Sequence, residues 1–162
     1  LRAYRKLTLH QDNLRLIVVG GGSLGKNERR FLENNSSMDV LFTGEISDYE
    51  KFNYFKSADI FCSPSVGQES FGIVLLEAMA SGMAVIGADS PGINNVIIHG
   101  ETGWLCGTRP ENFRQSINEL LNKPELMSRL GENARQFVRA NYSLSAIGRT
   151  EAELIRRVVE EN

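Results

Sequence analysis

Several residue types that mark special classes of protein are scarce in this 162-residue sequence, which has two cysteines, two histidines and one tryptophan. Cys62 and Cys106 lie in apolar, strand-like surroundings and form no Cys-x-x-Cys pair. We therefore expect two buried thiols in a reduced compartment, with a disulfide as the alternative, and no structural zinc site.

An excess of charge of one sign and long apolar runs are also lacking. There are 18 Lys and Arg against 20 Asp and Glu, a net charge of −2, which gives no electrostatic footprint for nucleic acid and no polybasic membrane patch. The longest weakly charged stretch, residues 71–88, contains Glu77 and a Ser81-Gly82 break, so we expect no transmembrane segment. No signal peptide precedes the first strand pattern. These absences predict a soluble, cytoplasmic protein without a nucleic-acid partner.

Short apolar runs alternate along the chain with longer amphipathic segments. With 41% hydrophobic and 23% charged residues, the chain is not intrinsically disordered, and its length suits one domain. This alternation, followed by helices from Pro110 onward, predicts an α/β fold with a doubly wound parallel, Rossmann-like sheet. The predicted strands cover residues 14–19, 40–42, 59–62, 84–86 and 103–105, and the helices between them residues 26–35, 49–57 and 71–81.

A glycine cluster follows the first predicted strand, and Gly20, Gly22 and Gly25 fit the G-x-G-x-x-G pattern of dinucleotide-binding turns. Asp39 lies 19 residues after Gly20, near the place of a ribose-binding acid, but it begins its strand instead of ending it. The same glycines nearly form a P-loop, except that Asn27 stands where a hydroxyl must bind the metal. A tight turn that needs positive φ explains the glycines at least as well. A nucleotide-cofactor domain of the NAD type remains the alternative interpretation.

The most informative stretch leads from the third predicted strand into the helix at residues 71–81. Ser70 is a favourable N-cap and Gly82 a favourable C′ residue for this helix. The first-turn amides without an intrahelical acceptor belong to Phe71, Gly72, Ile73 and Val74. Such amides and the helix dipole, at the carboxyl end of a parallel strand, predict an anion site suited to phosphate.

Two carboxylates bracket this helix start. Glu69 precedes the helix, and Glu77 lies roughly 10 Å along it from Ser70, at about 1.5 Å per residue. Because helical side chains lean toward the amino terminus, we expect the Glu77 carboxylate to reach back toward a ligand there. Apolar neighbours predict that Glu77 is buried and needs a partner. One acceptor for sugar hydroxyls and one for ribose hydroxyls suit a nucleotide sugar; the alternative is that both carboxylates are merely solvated.

Several blocks match a known family pattern. Glu69 and Glu77 have seven residues between them, and the helix ends in the run Ala78-Met79-Ala80-Ser81-Gly82. Further blocks are residues 42–46, 58–61 and 84–86 and the run from residue 92 to 105, in which Asn94-Asn95 replace an expected Glu. These blocks resemble the E-x7-E signature and flanking motifs of the retaining glycosyltransferases of family 4, also called group 1. The resemblance covers almost the whole chain.

The resemblance implies a GT-B fold, in which two Rossmann-like domains face each other across a cleft. This chain would be the C-terminal, donor-binding half, truncated at its amino terminus. Residues 1–142 would form the nucleotide-sugar-binding domain without its first strand, so that the sheet has a gap that stays open or is filled by a partner chain. Residues 143–162 would form a helix packing toward the absent N-terminal, acceptor-binding domain. We expect the isolated chain to be inactive, and the full-length enzyme to associate peripherally with a membrane.

The resemblance also implies residue roles in a transfer of hexose with retention of configuration. Glu69 would be the catalytic residue at the donor hexose, and Glu77 would hold the ribose hydroxyls. Donor sugar and diphosphate would be bound by Ser70, Phe71, Gly72, Ile73 and Val74. Among these, the amides of Phe71 and Gly72 would bind sugar hydroxyls, and those of Ile73 and Val74 the diphosphate. The base would meet Ile46, Asp48 and Lys51, whose spacing is similar to that of mannosyltransferases acting on phosphatidylinositol. This similarity favours GDP-mannose over a UDP-linked hexose as donor; a non-catalytic sugar-nucleotide-binding module remains a further alternative.

Two absences bear on the expected chemistry. The sequence contains no Asp-x-Asp motif, so we expect neither a metal nor a cofactor, and backbone amides would stabilise the leaving group. The basic pair that neutralises the diphosphate in the family is missing from residues 1–10. We expect Arg2, Arg5 and Lys6 in that segment to be solvated.

Overall fold

Strands and helices alternate in the computed structural model, which describes residues 1–8, 13–65, 67 and 72–160. The elements are α1 (Arg2–Thr8), β1 (Leu16–Val19), α2 (Lys26–Glu33), β2 (Val40–Gly44), α3 (Asp48–Ser57), β3 (Ile60–Ser63), α4 (Ile73–Ala80), β4 (Ala84–Ala88), β5 (Trp104–Cys106), α5 (Pro110–Leu121), α6 (Pro124–Asn141) and α7 (Leu144–Glu160). The paired strands are parallel. The predicted parallel α/β class is therefore confirmed.

The five strands form two sheets, a pair β1–β2 and a triplet β3–β4–β5. Within the described part of the chain, β1 and β3 each hydrogen-bond to one neighbouring strand only. The strands we expected in one doubly wound sheet with a gap are thus divided into two hydrogen-bonded groups. That the gap corresponds to a missing first strand stays a prediction.

Strand β4 is the centre of the molecule, and all five of its residues are buried. Such an apolar run is typical of a parallel strand covered on both faces. Val85 packs on one face with α4 and α6, in a cluster that includes Leu75 and Met79. Ile86 faces the other way and packs with Leu120 of α5. The two clusters make the β3–β4–β5 sheet the rigid support of the loops at its edges.

Helix α6 packs closely against the turn between α4 and β4 at Gly131. A Cβ atom at Gly131 would lie 2.1 Å from the carbonyl oxygen of Gly82, which is closer than any side chain can come. A glycine is therefore required where α6 crosses the turn between α4 and β4.

The β1–β2 half is less deeply packed. No residue of β1, β2 or α2 is buried, which for α2 agrees with the charges of its sequence. Helix α1 links this half to the rest, because the Tyr4 hydroxyl donates to the carbonyls of Leu14 and Asp39 and Lys6 pairs with Glu111 of α5 at 2.9 Å. Lys6 is 58% exposed, as expected, but the pairing adds a role that we had not predicted.

Helix α7 presents an uncovered apolar stripe. Only Ala146 is buried along its length, while Leu154, Ile155 and Val159 are more than 60% exposed. The predicted helix is thus present, and its packing toward a further domain stays a prediction. None of the helices in the described ranges is long and apolar enough to cross a membrane.

The two cysteines are free thiols on β3 and β5, with β4 between them. Both residues are partly exposed instead of fully buried as we expected. Burial of the thiol nevertheless raises the pKa of Cys62 to about 12.

Candidate functional site at the start of helix α4

Helix α4 begins after Gly72, whose φ of +59° lies in the left-handed region that glycine adopts easily. The Gly72 carbonyl accepts the amides of Leu75 at 2.8 Å and Leu76 at 3.2 Å. The amides of Ile73 and Val74 find no acceptor among the described residues. These two amides belong to exposed residues, with Ile73 68% and Val74 45% exposed. They are the two amides that we predicted for the diphosphate.

Part of the predicted segment, Glu69, Ser70 and Phe71, lies outside the described residues. The catalytic role of Glu69 therefore stays a prediction. The N-cap predicted at Ser70 is wrong, because Gly72 occupies the N-cap position and the helix starts at Ile73. The left-handed turn at Gly72 interrupts the helical path that the sequence pattern would have continued to residue 71.

The carboxyl end of α4 follows the prediction. Gly82 is the C′ residue, with φ +81°. Its amide donates to Met79 at 3.0 Å, and the Met83 amide donates to Ala78 at 3.3 Å, which are the two bonds of a Schellman motif. This motif and the buried cluster beneath it fix the direction of the helix.

Glu77 lies one turn beyond Ile73, on the same side of α4. Its Oε1 accepts a hydrogen bond from Lys51 Nζ at 3.0 Å. Its Oε2 is buried and finds no partner among the described residues, although the side chain as a whole is 37% exposed. The predicted burial of Glu77 is thus confirmed for Oε2 only. A buried carboxylate oxygen without a partner is costly unless a ligand supplies a donor.

Lys51 joins the predicted base pocket to Glu77. Its Nζ lies 2.9 Å from Asp48 Oδ1 as well as 3.0 Å from Glu77 Oε1. Asp48, and secondly Glu77, raise the pKa of Lys51 above its ordinary value, so the cation is stabilised between two carboxylates. The partly buried Ile46 lies just before α3 in the chain.

The start of α3 is fixed by a capping box. The Glu50 amide donates to Ser47 Oγ at 3.3 Å, and the Ser47 amide donates to Glu50 Oε2 at 2.9 Å. The pKa of Glu50 is lowered first by the Ser47 hydroxyl, which donates to Glu50 Oε2 at 2.7 Å, and secondly by the Ser47 amide. The box fixes the first turn of α3, which carries Asp48 and Lys51, and from this turn Lys51 reaches Glu77 of α4. Sequence reasoning gave Lys51 a role at the base and missed its bond to Glu77, because 26 residues separate the two.

The glycine cluster after β1 is a turn covered by carboxylates. Gly20 and Gly22 have φ values of +133° and +108°, as the turn interpretation requires. A Cβ at Gly21 would lie 2.5 Å from Glu45 Oε1. A Cβ at Gly25 would lie 2.3 Å from Glu28 Oε2. Two carboxylates beside the loop make it electrostatically unfavourable for phosphate.

Asp39, the other half of the dinucleotide interpretation, lies at the amino end of β2. Its Oδ2 accepts a bond from Arg15 Nε at 2.8 Å. Ligands of parallel sheets bind at the opposite, carboxyl edge. Asp39 is therefore a structural ion-pair partner and no ribose ligand.

Alternating parallel strands and helices define an α/β domain, in which the first amides of α4 have no acceptor among the described residues. Sequence comparison identifies its family. The family model described as "Glycosyl transferases group 1" matches residues 1–137. The chain belongs to this family.

Individual relatives agree with that membership. Phosphatidyl-myo-inositol mannosyltransferase of Mycobacterium tuberculosis (strain CDC 1551 / Oshkosh) is 34% identical over 114 residues, which are 70% of this chain and 30% of the relative. Sucrose-phosphate synthase from Thermosynechococcus elongatus superimposes with a TM-score of 0.80 and 26% identity, over 99% of this chain and 42% of the other. Anabaena Alr3699/HepE, solved with UDP and glucose, superimposes with a TM-score of 0.81 and 20% identity, over 95% and 44%. The chain thus spans less than half the length of each, and the predicted fold class, half of a GT-B glycosyltransferase, is confirmed.

Proposed function

We propose that this chain is the donor-binding part of a retaining hexosyltransferase that takes its hexose from a nucleotide diphosphate sugar. The observation on which the proposal rests is the Glu77 carboxylate, with Oε1 on Lys51 and Oε2 buried without a partner among the described residues. A ribose hydroxyl would donate to that oxygen. The amides of Ile73, one turn earlier, and Val74 suit the adjoining diphosphate.

We propose GDP-mannose as the donor. Guanine presents neighbouring N–H donors to a carboxylate, whereas uracil presents one. Asp48, on the first turn of α3, offers such a carboxylate, with 96% of its side chain exposed. The 34% identical relative is named as a mannosyltransferase, which supports the same sugar. A UDP-linked hexose is the second candidate, because the neighbour solved with UDP and glucose shares the fold.

The proposed mechanism uses the backbone at the start of α4. Departure of the nucleoside diphosphate places negative charge on its phosphate oxygens, and the free amides and helix dipole stabilise that charge without a metal ion. Glu77 holds the ribose, so that the diphosphate stays aligned with the helix axis. Glu69 would face the sugar, and acceptor binding would come from outside these residues.

Binding by calorimetry tests the proposal on the 162-residue chain. We expect GDP-mannose to bind, UDP-glucose to bind more weakly, and Glu77→Ala to weaken GDP-mannose about tenfold or more, the cost of one charge-assisted hydrogen bond. Glu119→Ala is a matched control, because Glu119 also pairs with a lysine at 2.9 Å and is 38% exposed. The affinity of the Glu119→Ala variant for GDP-mannose should stay within about twofold of wild type.

Two further measurements distinguish the alternatives. Asp48→Asn should reduce the preference for GDP-mannose over UDP-glucose if Asp48 meets guanine. NAD binding that is lost in Gly22→Ala would instead support the nucleotide-cofactor interpretation, which the carboxylates of Glu28 and Glu45 disfavour.

We also propose that the isolated chain binds the donor without transferring its sugar. Detectable sugar transfer by these residues alone would contradict this proposal.

A further inference from the structure

The short segment between β2 and α3 is anchored to the glycine turn that follows β1. The register of the two strands shifts near the end of β2, where Thr43 is an additional residue. Gly44, with φ +69°, then turns the chain out of the strand, and its carbonyl accepts the Gly20 amide at 3.0 Å. Bulges of this kind redirect the end of a strand, and here the chain leads directly to Ser47, the N-cap of α3.

The first turn of α3 is held by hydrogen bonds and not by packing. In α3, all of which lies in the described part of the chain, only Phe55 is buried, one turn beyond Lys51. The Ser47 hydroxyl donates to Glu50 Oε2 at 2.7 Å and accepts the Glu50 amide at 3.3 Å. The Ser47 carbonyl accepts the Lys51 amide at 2.9 Å, which is the first bond of the helix. Ser47 therefore fixes both the cap and the backbone of Lys51.

We propose that Ser47 is a positioning residue for nucleotide-sugar binding, acting through Lys51 on the Glu77 carboxylate. This inference rests on the proposed function, in which Glu77 holds the ribose. From the turn that Ser47 fixes, Lys51 Nζ reaches Glu77 Oε1 at 3.0 Å, and Glu77 Oε2 has no partner among the described residues. Loss of the cap would let this turn fray, and part of the binding energy would be spent on ordering it.

Calorimetry on the 162-residue chain tests the role of Ser47. For Ser47→Ala we expect the affinity for the nucleotide sugar, GDP-mannose or UDP-glucose according to which binds wild type more tightly, to fall about threefold. The loss should not exceed that of Lys51→Met, because Ser47 acts through this lysine. Ser47→Thr, which keeps a capping hydroxyl, should restore the affinity to within about 1.5-fold of wild type.

A second serine-capped helix provides the matched control. At the start of α7, Ser143 Oγ accepts the Ala146 amide at 3.2 Å, as Ser47 Oγ does for Glu50. Loss of either cap should lower the Tm by about 2–4 °C, but Ser143→Ala should leave the affinity unchanged. Equal losses of affinity in the two alanine variants would show that reduced stability, and not positioning, weakens binding, and this would overturn the inference.

The double variant Ser47→Ala/Lys51→Met shows whether the lysine transmits the effect. If it does, the double variant should bind at most about 1.5-fold more weakly than Lys51→Met alone. Full additivity of the two losses, or wild-type affinity in Ser47→Ala, would overturn the positioning role of Ser47 and leave the proposed function in place. Failure of the wild-type chain to bind either nucleotide sugar would overturn the proposed function and this inference together.

Discussion

Lys51 contacts one residue from each of two separate predictions, Asp48 of the base pocket and Glu77, the ribose carboxylate. Its ammonium contacts Asp48 and Glu77 at about the same distance, 2.9 and 3.0 Å. It therefore holds Glu77 by one oxygen and leaves the other without a partner among the described residues. Removal of the cation would free the Glu77 side chain to rotate away and to hydrate.

We predict that Lys51→Met weakens nucleotide-sugar binding about two- to fivefold, the range typical of a partly exposed ion pair. Lys123→Met, which removes the comparable Glu119 pair, should leave binding unchanged. Calorimetry on Lys51→Met, Glu77→Gln and the double variant gives the coupling between the two sites. Strict additivity of the two losses would show that Lys51 does not act through Glu77.

Cys62 is expected to make stability depend on alkaline pH. Its pKa is about 12 in the folded chain against an ordinary value of 9.0, so above pH 9 the unfolded chain has lost a proton that the folded chain keeps. Stability is therefore full below pH 9 and falls as pH rises from 9 toward 12, by up to about 1.4 kcal/mol per pH unit.

Urea unfolding between pH 8 and 10.5 measures this effect. The wild-type chain should lose about 1–2 kcal/mol more than Cys62→Ala across that range. Any constant offset from the lost side-chain volume does not matter, because the comparison is of slopes. Parallel pH dependences would contradict the raised pKa.

At the scale of the elements, the contact between α6 and the turn after α4 leaves no room for a side chain at Gly131. Gly131→Ala would place a methyl group 2.1 Å from the Gly82 carbonyl oxygen, and a backbone atom cannot rotate away. We predict a loss of about 2–3 kcal/mol in the free energy of unfolding, measured by urea denaturation.

A second glycine provides the matched control for this prediction. Gly148 lies in α7 with nothing within 4 Å of its Cβ position. Gly148→Ala should be neutral or stabilising by up to about 1 kcal/mol, because alanine favours the helix. Similar losses in both variants would mean that the cost arises from the helix backbone and not from the approach of α6 to Gly82.

The elements were the part of the fold that sequence reasoning predicted best. Strands such as β4 are uninterrupted apolar runs, and the end of α4 has a glycine at the position that requires positive φ, Gly82. The start of α4 was misplaced because a left-handed Gly72 looks the same in sequence as a glycine in the first helical turn. The Lys51–Glu77 bond was missed because contacts between distant residues depend on how the elements pack, which periodicity does not specify.

At the scale of the whole molecule, the two sheets are expected to differ in stability. Every residue of β4 is buried, whereas none of β1 or β2 is. A two-stranded sheet with a half-exposed face is marginal by itself, and local opening follows local packing.

We predict that the amides of β1 and β2 exchange with solvent much faster than those of β4, by about tenfold or more. Hydrogen–deuterium exchange followed by mass spectrometry on peptides from each strand measures the difference. Peptides from α4, which lies on the β3–β4–β5 sheet, should be protected like β4. Uniform protection across all strands would show that the two sheets open as one unit.

The single-sided pairing of β1 and β3 also has a consequence for behaviour in concentrated solution. An unpaired strand edge presents N–H and C=O groups that any extended chain can match. Copies of this chain at high concentration are therefore expected to associate edge to edge, and to gain β-structure as they do so. Its solubility would then be limited by backbone geometry, even though its composition is balanced in charge and ordinary in hydropathy.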